Sequence, residues 1–353
     1  MQTVSHERSC GIDLHETVAQ VCVLSVDGEI EAERRFSLRS ESSRERFVSW
    51  IARLESVRVA VEALGLNRWL VNALVARGFR LGKELLVVHP PALKLKESGR
   101  KTDRRDAREI ARRLWLGDLD RHARTYYPSD SEYEVRQLTR TRHDLVTQRL
   151  SLRNRIRSFL RTYALACPRG RLQGKKSLER LGSMLERLPA GAPAARVCVA
   201  VLASVNEQIQ ALDALIAEHA RGSRKARALM AQPQLGALSA LTIAVELGDI
   251  RRFDHTRAVS SYAGLVPRVA SSGEKQWHGA LDKRGNRHLR WILGQWAVRL
   301  MAFHPEVRRW VERRLHRTSK NRLRMALARR LLVGLYVSER DGVSFSLTTC
   351  LGH

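Results

Sequence analysis

Four acidic residues stand where carboxylates can support metal-dependent chemistry. Asp13 lies within an apolar strand pattern, and Glu62 interrupts a second one. Asp103 and Asp106 are three residues apart, so on a helix both project from the same face. Mg²⁺ prefers oxygen ligands, and two such ions about 3.5–4 Å apart can promote phosphodiester displacement. Taken together, the four acids predict a divalent-cation site.

A structural role for the same acids stays open at this point. Asp103 and Asp106 can instead form ion pairs on a solvated helix face. The neighbouring arginines are Arg104, Arg105 and Arg108. Glu62 can be an ordinary strand-end residue, and we expect His15 to be a surface residue or to support a ligand rather than to bind metal. The metal site is favoured because three separate elements must place acids at one edge.

The elements that must position these acids alternate between strand and helix over residues 1–128. Three β-branched strands with a turn at Asp27-Gly28 are followed by helix, strand, helix, strand and helix. The predicted strands begin at 10 and span 18–26, 29–38, 57–64 and 85–88, and the predicted helices span 42–54, 66–76 and 102–116. Thr102 is a candidate N-cap. This order is typical of an α/β RNase H-like fold, in which the first strand, the fourth strand and the last helix converge.

Residues 129–227 predict a coiled-coil-like helical arm. Apolar residues recur every seven positions at Leu138, Leu145, Leu152 and Phe159. Residues 167–194 are rich in Gly, Pro and basic residues and predict a loop or broken connection, and helical periodicity resumes over 197–219. Two helices joined this way favour an antiparallel arm that acts as a linker or an oligomerisation element.

Residues 228–353 predict a third, mostly α-helical domain. A glycine-flanked apolar helix comes first, a loop-rich stretch follows over 264–286, and a helix begins at Arg287. Asn286 is expected to cap that helix, and Trp291 and Trp296 are expected to be buried in it. The tail helix over 316–330 is strongly basic.

The charge balance points to a polyanionic partner. Of 353 residues, 63 are Lys or Arg and 36 are Asp or Glu, giving a net charge of +27. Phosphate backbones are the usual partner of such a chain because binding releases condensed counterions. The longest charge-free run, 229–245, is too short and too interrupted to span a membrane. Five cysteines without a CxxC motif support no disulfide or zinc framework. We therefore expect a cytoplasmic nucleic-acid-binding protein.

Longer segments resemble a known family. GIDLH at 11–15, VEALGLNRWLVNAL at 61–74 and SGRKTDRRDAREIA at 98–111 resemble the N-terminal DEDD domain of insertion-sequence transposases related to Piv-type DNA invertases, the bridge-RNA-guided recombinases. The C-terminal half is similar to that family's transposase domain. The similar segments are LGALSALTIAVELGDIRRF at 235–253, SYAGLVPRVASSGEKQWHGALDKRGNRHLR at 261–290 and ALARRLLVGLY at 326–336.

The resemblance implies a RuvC-like nuclease domain and two sets of catalytic residues. The implied metal-binding tetrad is Asp13, Glu62, Asp103 and Asp106, holding Mg²⁺, for which Mn²⁺ can substitute. The implied nucleophile is Ser272, which precedes Gly273 after a Gly-Leu-x-Pro element. Ser271 fits that signature less well, and from spacing alone both serines could be turn residues.

The family's activity and partners follow from the same resemblance. Its members cut and rejoin donor and target DNA through a phosphoserine intermediate, guided by a noncoding RNA. They assemble as dimers and tetramers in which the DEDD domain of one subunit meets the serine domain of another. For this chain the resemblance implies a nucleoid-associated transposase in the bacterial cytoplasm.

Ten basic residues are the candidate nucleic-acid contacts. Five surround the serine, three lie on the arm and two on the tail helix, where phosphate contacts can position the nucleic acid. They are Arg268, Lys275, Arg284, Arg287 and Arg290; Arg149, Arg153 and Arg157; and Arg322 and Arg324.

Two other functions fit the same residues. A DEDD-type endonuclease or junction resolvase would use the carboxylates without Ser272. A non-catalytic RNA- or DNA-binding protein would use neither, although the intact tetrad argues against such decay. Replacing Ser272 with Ala separates the first alternative from a recombinase, and replacing Asp13 with Ala separates the second.

Overall fold

The structure is a computed structural model with two compact units, Met1–Tyr127 and Pro128–His353. It describes residues 7–63, 65–88, 103–119, 126–168, 172–188, 191–272, 275–281 and 285–352, with the backbone alone over 268–280. Thr102 and Arg284 therefore lie outside the described residues. The division into three domains at 128 and 227 stays a prediction.

A mixed five-stranded sheet organises the first unit. The strands are β1 (Arg8–Leu14), β2 (Val18–Leu24), β3 (Ile30–Ser37), β4 (Val57–Glu62) and β5 (Leu85–Val88). Their spatial order is β3-β2-β1-β4-β5. β1, β2 and β3 pair antiparallel, whereas β1, β4 and β5 pair parallel. All five predicted strands are confirmed. Alternating β-branched residues are a strong strand signal, so these elements could be predicted from the sequence.

Helices cover both faces of this sheet. The helices α1 (Glu41–Ala52) and α2 (Arg68–Val75) supply Phe47, Ile51, Leu70 and Leu74 to the core on one face. On the other face, α3 (Asp103–Trp115) buries Ile110 and Leu114 against β4 and β5. The two faces alternate along each strand, as the two-residue period of a strand requires.

The second unit begins with an antiparallel helical arm. The long helices α4 (Asp130–Thr162) and α6 (Pro193–Gly222) pack along each other. Arg142 near the start of α4 pairs with Asp213 near the end of α6, at 2.9 Å, so the two helices run in opposite directions. The end of α4 packs correspondingly against the start of α6. This arrangement confirms the predicted antiparallel helices.

The prediction of a loop over 167–194 is wrong for the central part of that segment. The helix α5 (Lys175–Glu186) lies there, and its buried Leu181 and Leu185 complete the core at the far end of the arm. Leu178, Leu181 and Leu185 have helical spacing, but the surrounding Gly and Pro residues dominated the prediction.

The arm helix α6 is long and rich in apolar residues. By length and composition alone, α6 could cross a membrane. Its buried residues, which include Leu202, Val205 and Ile209, pack inside this unit, and its Asp213 pairs with Arg142. These contacts join one side of α6 to the rest of the second unit.

The rest of the second unit is helical around one large core. Its helices are α7 (Arg224–Met230), α8 (Ala237–Leu247), α9 (Thr256–Tyr262), α10 (Arg287–Phe303), α11 (Pro305–Glu312), α12 (Lys320–Asp341) and α13 (Leu347–Leu351). Trp296 is buried in this core and Trp291 packs against it half-buried. The expectation of two buried tryptophans is therefore confirmed for Trp296 and holds in part for Trp291.

The stretch predicted to be rich in loops contains a β-hairpin. The strands β6 (Pro267–Ser272) and β7 (Lys275–Leu281) pair antiparallel, and Ser272 is opposite Lys275. The alternation in this segment is short and rich in Gly and Ser, so the sequence pattern favoured a loop. Ser272 is therefore the last residue of β6.

Candidate functional site

Strand register brings Asp13 and Glu62 to the same edge. Along parallel β1 and β4, Ile12 pairs with Val61, and Asp13 and Glu62 are the next residues of the two strands. Ile12 and Val61 both face the core formed with α1 and α2. Because successive residues alternate between faces, Asp13 and Glu62 belong to the opposite face, where α3 packs. Asn67 donates from Nδ2 to the carbonyl of Glu62 at 2.7 Å and holds the chain where β4 ends.

Close packing places α3 directly over β1. A Cβ at Gly11 would lie 2.3 Å from both the carbonyl oxygen of Ala107 and the amide nitrogen of Ala111. Only glycine permits this approach, because any side chain would collide with the helix backbone. The indole of Trp115 donates to the carbonyl of Val26 at 3.0 Å, which fixes the far end of the helix.

Ion pairs fix the rotation of α3 about its axis. Arg104 and Arg108 both donate to the carboxylate of Glu33 on β3, with one Arg108 contact at 2.8 Å. These two guanidiniums hold the pKa of Glu33 near 2, well below its ordinary value. Arg104 and Arg108 therefore reach across to the sheet, which argues against the alternative in which they pair only with the acids of their own helix.

Among the described residues, two carboxylates and one imidazole form a cluster at this edge of the sheet. Nε2 of His15 lies 3.2 Å from Oδ2 of Asp13 and 3.4 Å from Oδ1 of Asp103. One ligand atom from each of the three lies within 4.8 Å of the others. We call Asp13, His15 and Asp103 the carboxylate cluster. Asp106 is buried one turn further along α3, close enough for its charge to act on Asp13.

His15 is the member of the cluster that sequence analysis set aside. The expectation that it supports a ligand agrees with its contact to Asp13, but its contact to Asp103 was not foreseen. The residue follows Asp13 by two positions and comes directly after the last residue of β1. That spacing was the available signal.

Burial and repulsion make the cluster receptive to a cation. Asp13 is 5% exposed, and burial first, then the negative charges of Asp103 and Asp106, raise its pKa, while His15 opposes the shift. A buried carboxylate among like charges is stabilised by a cation at the site. The set of carboxylate oxygens with one imidazole fits a divalent ion, and the predominance of oxygen suits Mg²⁺.

Ser272 belongs to the second unit, at the end of β6. The structure describes its backbone, whereas Gly273 and Glu274 lie outside the described residues. At the base of the hairpin, Asn286 caps α10 through Oδ1, which accepts from the amides of His288 and Leu289. The predicted cap is therefore confirmed. The catalytic role of Ser272 stays a prediction.

The ten candidate nucleic-acid residues differ in their surroundings. Arg287 and Arg322 are exposed, whereas Arg290 donates to the carbonyl of Ala263 at 3.2 Å and supports the hairpin base. The half-buried members are Arg149, Arg153, Arg157 and Arg324. Arg268 and Lys275 lie on β6 and β7, where only the backbone is described.

Two further arginines of the arm have structural partners within the second unit. Arg136 is buried and donates to the carbonyl of Val245 at 2.6 Å. Arg140 pairs with the buried Glu246 at 2.7 Å.

Comparisons with known proteins define the class of this enzyme. Residues 10–165 match the family DEDD_Tnp_IS110, described as "Transposase", and residues 226–312 match "Transposase IS116/IS110/IS902 family". The first range includes all four candidate metal ligands, and the second includes the hairpin. The chain is thus a DNA transposase whose first unit is a DEDD-type domain. The mixed sheet is compatible with the RNase H-like fold that such a domain implies, and the domain type implies a divalent metal, commonly Mg²⁺.

Similarity to named relatives extends over nearly the whole chain. A probable family 20 transposase of Pseudomonas aeruginosa is 30% identical over 332 residues, which cover 90% of this chain and 92% of the relative. The transposase for insertion sequence element IS1111A of Coxiella burnetii is 28% identical over 90% of this chain and 85% of its own length. A third, for IS1328 of Yersinia enterocolitica, is 25% identical over 88% and 91%. This chain belongs to the IS110/IS116 family of insertion-sequence transposases.

Proposed function

We propose that this transposase cuts and rejoins DNA with Ser272 as the nucleophile and with Asp13, Glu62, Asp103 and Asp106 as the metal-binding tetrad. The observation that carries the proposal is the convergence of Asp13 and Asp103 at one edge of a DEDD-type domain. When bound there, Mg²⁺ or Mn²⁺ supplies charge neutralisation and Lewis acidity to phosphodiester displacement.

The proposed chemistry is a two-step exchange of phosphate esters. The Ser272 hydroxyl oxygen attacks the scissile phosphorus, and the bond from phosphorus to one deoxyribose oxygen breaks. That oxygen takes up a proton from water or from the group that accepted the serine proton, and it leaves as a hydroxyl. The serine proton passes to a base, for which the carboxylates are candidate acceptors. A deoxyribose hydroxyl from the other DNA then attacks the phosphoserine and releases the serine. One ester is exchanged for another in each step, so no ATP is consumed.

We further propose that a noncoding guide RNA selects the donor and target DNA. The net charge of +27 suits simultaneous binding of RNA and DNA backbones. Exposed Arg287 and Arg322 are available for phosphate contacts, and the half-buried arm arginines can present their tips to the same backbone. A-form RNA is recognised mostly by shape and phosphate, so no base code needs to be visible on the arm. The enzyme would act in the cytoplasm on nucleoid DNA.

We also propose that the active form is a dimer or tetramer with composite active sites. The arm helix α6 exposes Val197, Val201 and Leu215, which are 63%, 44% and 43% exposed. Val201 and Leu215 are two heptads apart, a spacing that places apolar residues on one seam of a coiled coil. A second copy of the chain would bury this seam and bring the DEDD domain of one subunit to the serine domain of another.

Purification of the full chain from cells that carry its own element tests the guide and the assembly. Sequencing the copurified nucleic acid should yield one discrete noncoding RNA encoded beside the gene. Light scattering on the same preparation should give the mass of at least two chains plus RNA. Random cellular RNA would contradict the guide, and a monomer that still recombines DNA would contradict the composite site.

A further inference from the structure

A buried glutamate of the second unit lies beneath the hairpin that carries Ser272. Glu246, on α8, has no exposed surface. A buried carboxylate is costly unless charged or polar groups satisfy it, so its partners indicate what the fold gains from it. Hydrogen bonds from Arg140 and Asn286 keep the pKa of Glu246 below its ordinary value despite burial, which opposes them.

The partners of Glu246 come from three different elements. Arg140 on α4 donates to both carboxylate oxygens, at 2.7 and 2.9 Å. Asn286, the N-cap of α10, donates from Nδ2 to Oε2 at 2.8 Å. Tyr262, the last residue of α9, donates from its hydroxyl to the backbone carbonyl of Glu246 at 3.0 Å. We call these four residues the Glu246 network.

Two of the same residues close the base of the hairpin. The chain leaves α9 at Tyr262 to form β6, and it returns from β7 to Asn286. The amide of Asn286 donates to the carbonyl of Tyr262 at 2.6 Å. A Cβ at Gly285 would lie 2.3 Å from the amide nitrogen of Gly264, so the two chain segments are in direct backbone contact. The hairpin is thus anchored where the Glu246 network lies.

We infer that Glu246 is a positioning residue for the serine hairpin. Its carboxylate holds Asn286 on the segment that returns from β7, and its backbone carbonyl holds Tyr262 on the segment that leads to β6. Arg140 ties the same carboxylate to the arm helix. A misplacement of about 1 Å in a reacting group can cost about 100-fold in rate, so a fixed base has catalytic value. The inference rests on the proposed role of Ser272 for its effect on rate, but not for its effect on the hairpin.

The variant Asn286→Ser separates positioning from helix capping. Serine keeps a side-chain oxygen that can cap α10, but it lacks the Nδ2 donor to Glu246. With purified full-length ribonucleoprotein, we expect DNA cleavage about 100-fold slower while DNA affinity stays within about threefold. Amide hydrogen exchange over 267–281 should become about tenfold faster, with exchange in α10 and α12 unchanged.

A milder variant and a matched control complete the test. Tyr262→Phe removes one hydroxyl of the network and keeps the ring, so it serves if Asn286→Ser does not fold, with the same pattern expected. Arg142→Gln breaks a different ion pair of α4, with Asp213 on α6, and Arg142 has no hydrogen bond to Glu246 among the described contacts. It should leave hairpin exchange and the cleavage rate unchanged.

The outcomes distinguish the inference from the proposed function. The inference is overturned if a network variant that folds exchanges and cleaves like the wild type, or if exchange accelerates equally throughout the second unit. If Ser272→Ala still cleaves, the proposed function fails. In that case, amide hydrogen exchange over 267–281 in the network variants is the remaining test of whether Glu246 positions the hairpin.

Discussion

At the scale of single residues, Asp13 combines burial with repulsion from its neighbours. Its carboxylate is almost fully enclosed and lies near the charges of Asp103 and Asp106, with His15 as the nearest compensating group. Such a group does not serve stability well, because its charged form is disfavoured by burial. The presence of an aspartate at position 13 is therefore better explained by cation binding than by packing of the core.

We predict that Asp13→Asn abolishes DNA cleavage without weakening the fold. Loss of groups that merely support metal ligands costs about 10–100-fold, so loss of a ligand should cost at least about 100-fold. Removing a buried charge should leave the melting temperature unchanged or higher. A metal-dependent cleavage assay and thermal unfolding of the full chain measure the two effects.

The matched control for this variant is Asp27→Asn, which changes an exposed acid in the turn after β2. It should cleave at the wild-type rate. If Asp13→Asn retained metal-dependent cleavage, the carboxylate cluster would not be the catalytic metal site.

At the scale of elements, α3 is positioned by its close packing against Gly11 and by its ion pairs with Glu33. Gly11 lets the helix backbone touch β1, and Glu33 holds the helix through Arg104 and Arg108. Asp103 and Asp106 reach the edge of the sheet because both constraints act on the same helix. Changes at positions 11 and 33 should therefore affect the site without altering any ligand.

We predict that Gly11→Ala destabilises the first unit by about 3 kcal/mol, because its Cβ would overlap backbone atoms that cannot move independently. Urea denaturation followed by circular dichroism measures the loss. Gly65→Ala is the control, since a Cβ there has no atom within 4 Å. Equal stability of the two variants would show that α3 does not approach β1 this closely.

We predict that Glu33→Gln lowers stability in a pH-dependent manner. The folded pKa of Glu33 is about 2, against an ordinary value of 4.5. Its stabilising effect is therefore complete above about pH 4.5 and is lost as the pH falls toward 2. At pH 7 the free energy of unfolding of Glu33→Gln should be about 1 kcal/mol lower than that of the wild type. This difference should become smaller as the pH falls. Denaturant titrations at several pH values test this, with Glu29→Gln, an exposed acid of the preceding turn, as control; a difference that persists at pH 2 would contradict it.

The N-terminal strands and α3 could be predicted from the sequence because their signals are local. β-branched alternation and the Asp27-Gly28 turn define β1, β2 and β3, and the spacing of Asp103 and Asp106 puts both on one helical face. The Glu33 ion pairs and the contact of His15 with Asp103 could not be predicted, since each joins residues on separate elements. The β6–β7 hairpin was missed because its short alternation is rich in Gly and Ser.

At the scale of the whole molecule, the carboxylate cluster and the serine belong to different compact units. A chain with a net charge of +27 binds nucleic acid readily, so binding alone cannot distinguish a recombinase from a simple nuclease. The proposed covalent step at Ser272 is the chemistry that would distinguish them. Such a step leaves a stable trace on the protein, whereas metal-dependent hydrolysis leaves none.

Capture of the protein–DNA adduct tests the central claim most directly. The full-length protein, purified together with the nucleic acid it retains, is incubated with Mg²⁺ and DNA that carries the junction of its own element. The mixture is then denatured and digested for mass spectrometry. We predict a nucleotide joined through phosphate to Ser272, absent from the Ser272→Ala and Asp13→Asn variants. Efficient cleavage by Ser272→Ala, with no adduct on the wild-type protein, would contradict the account.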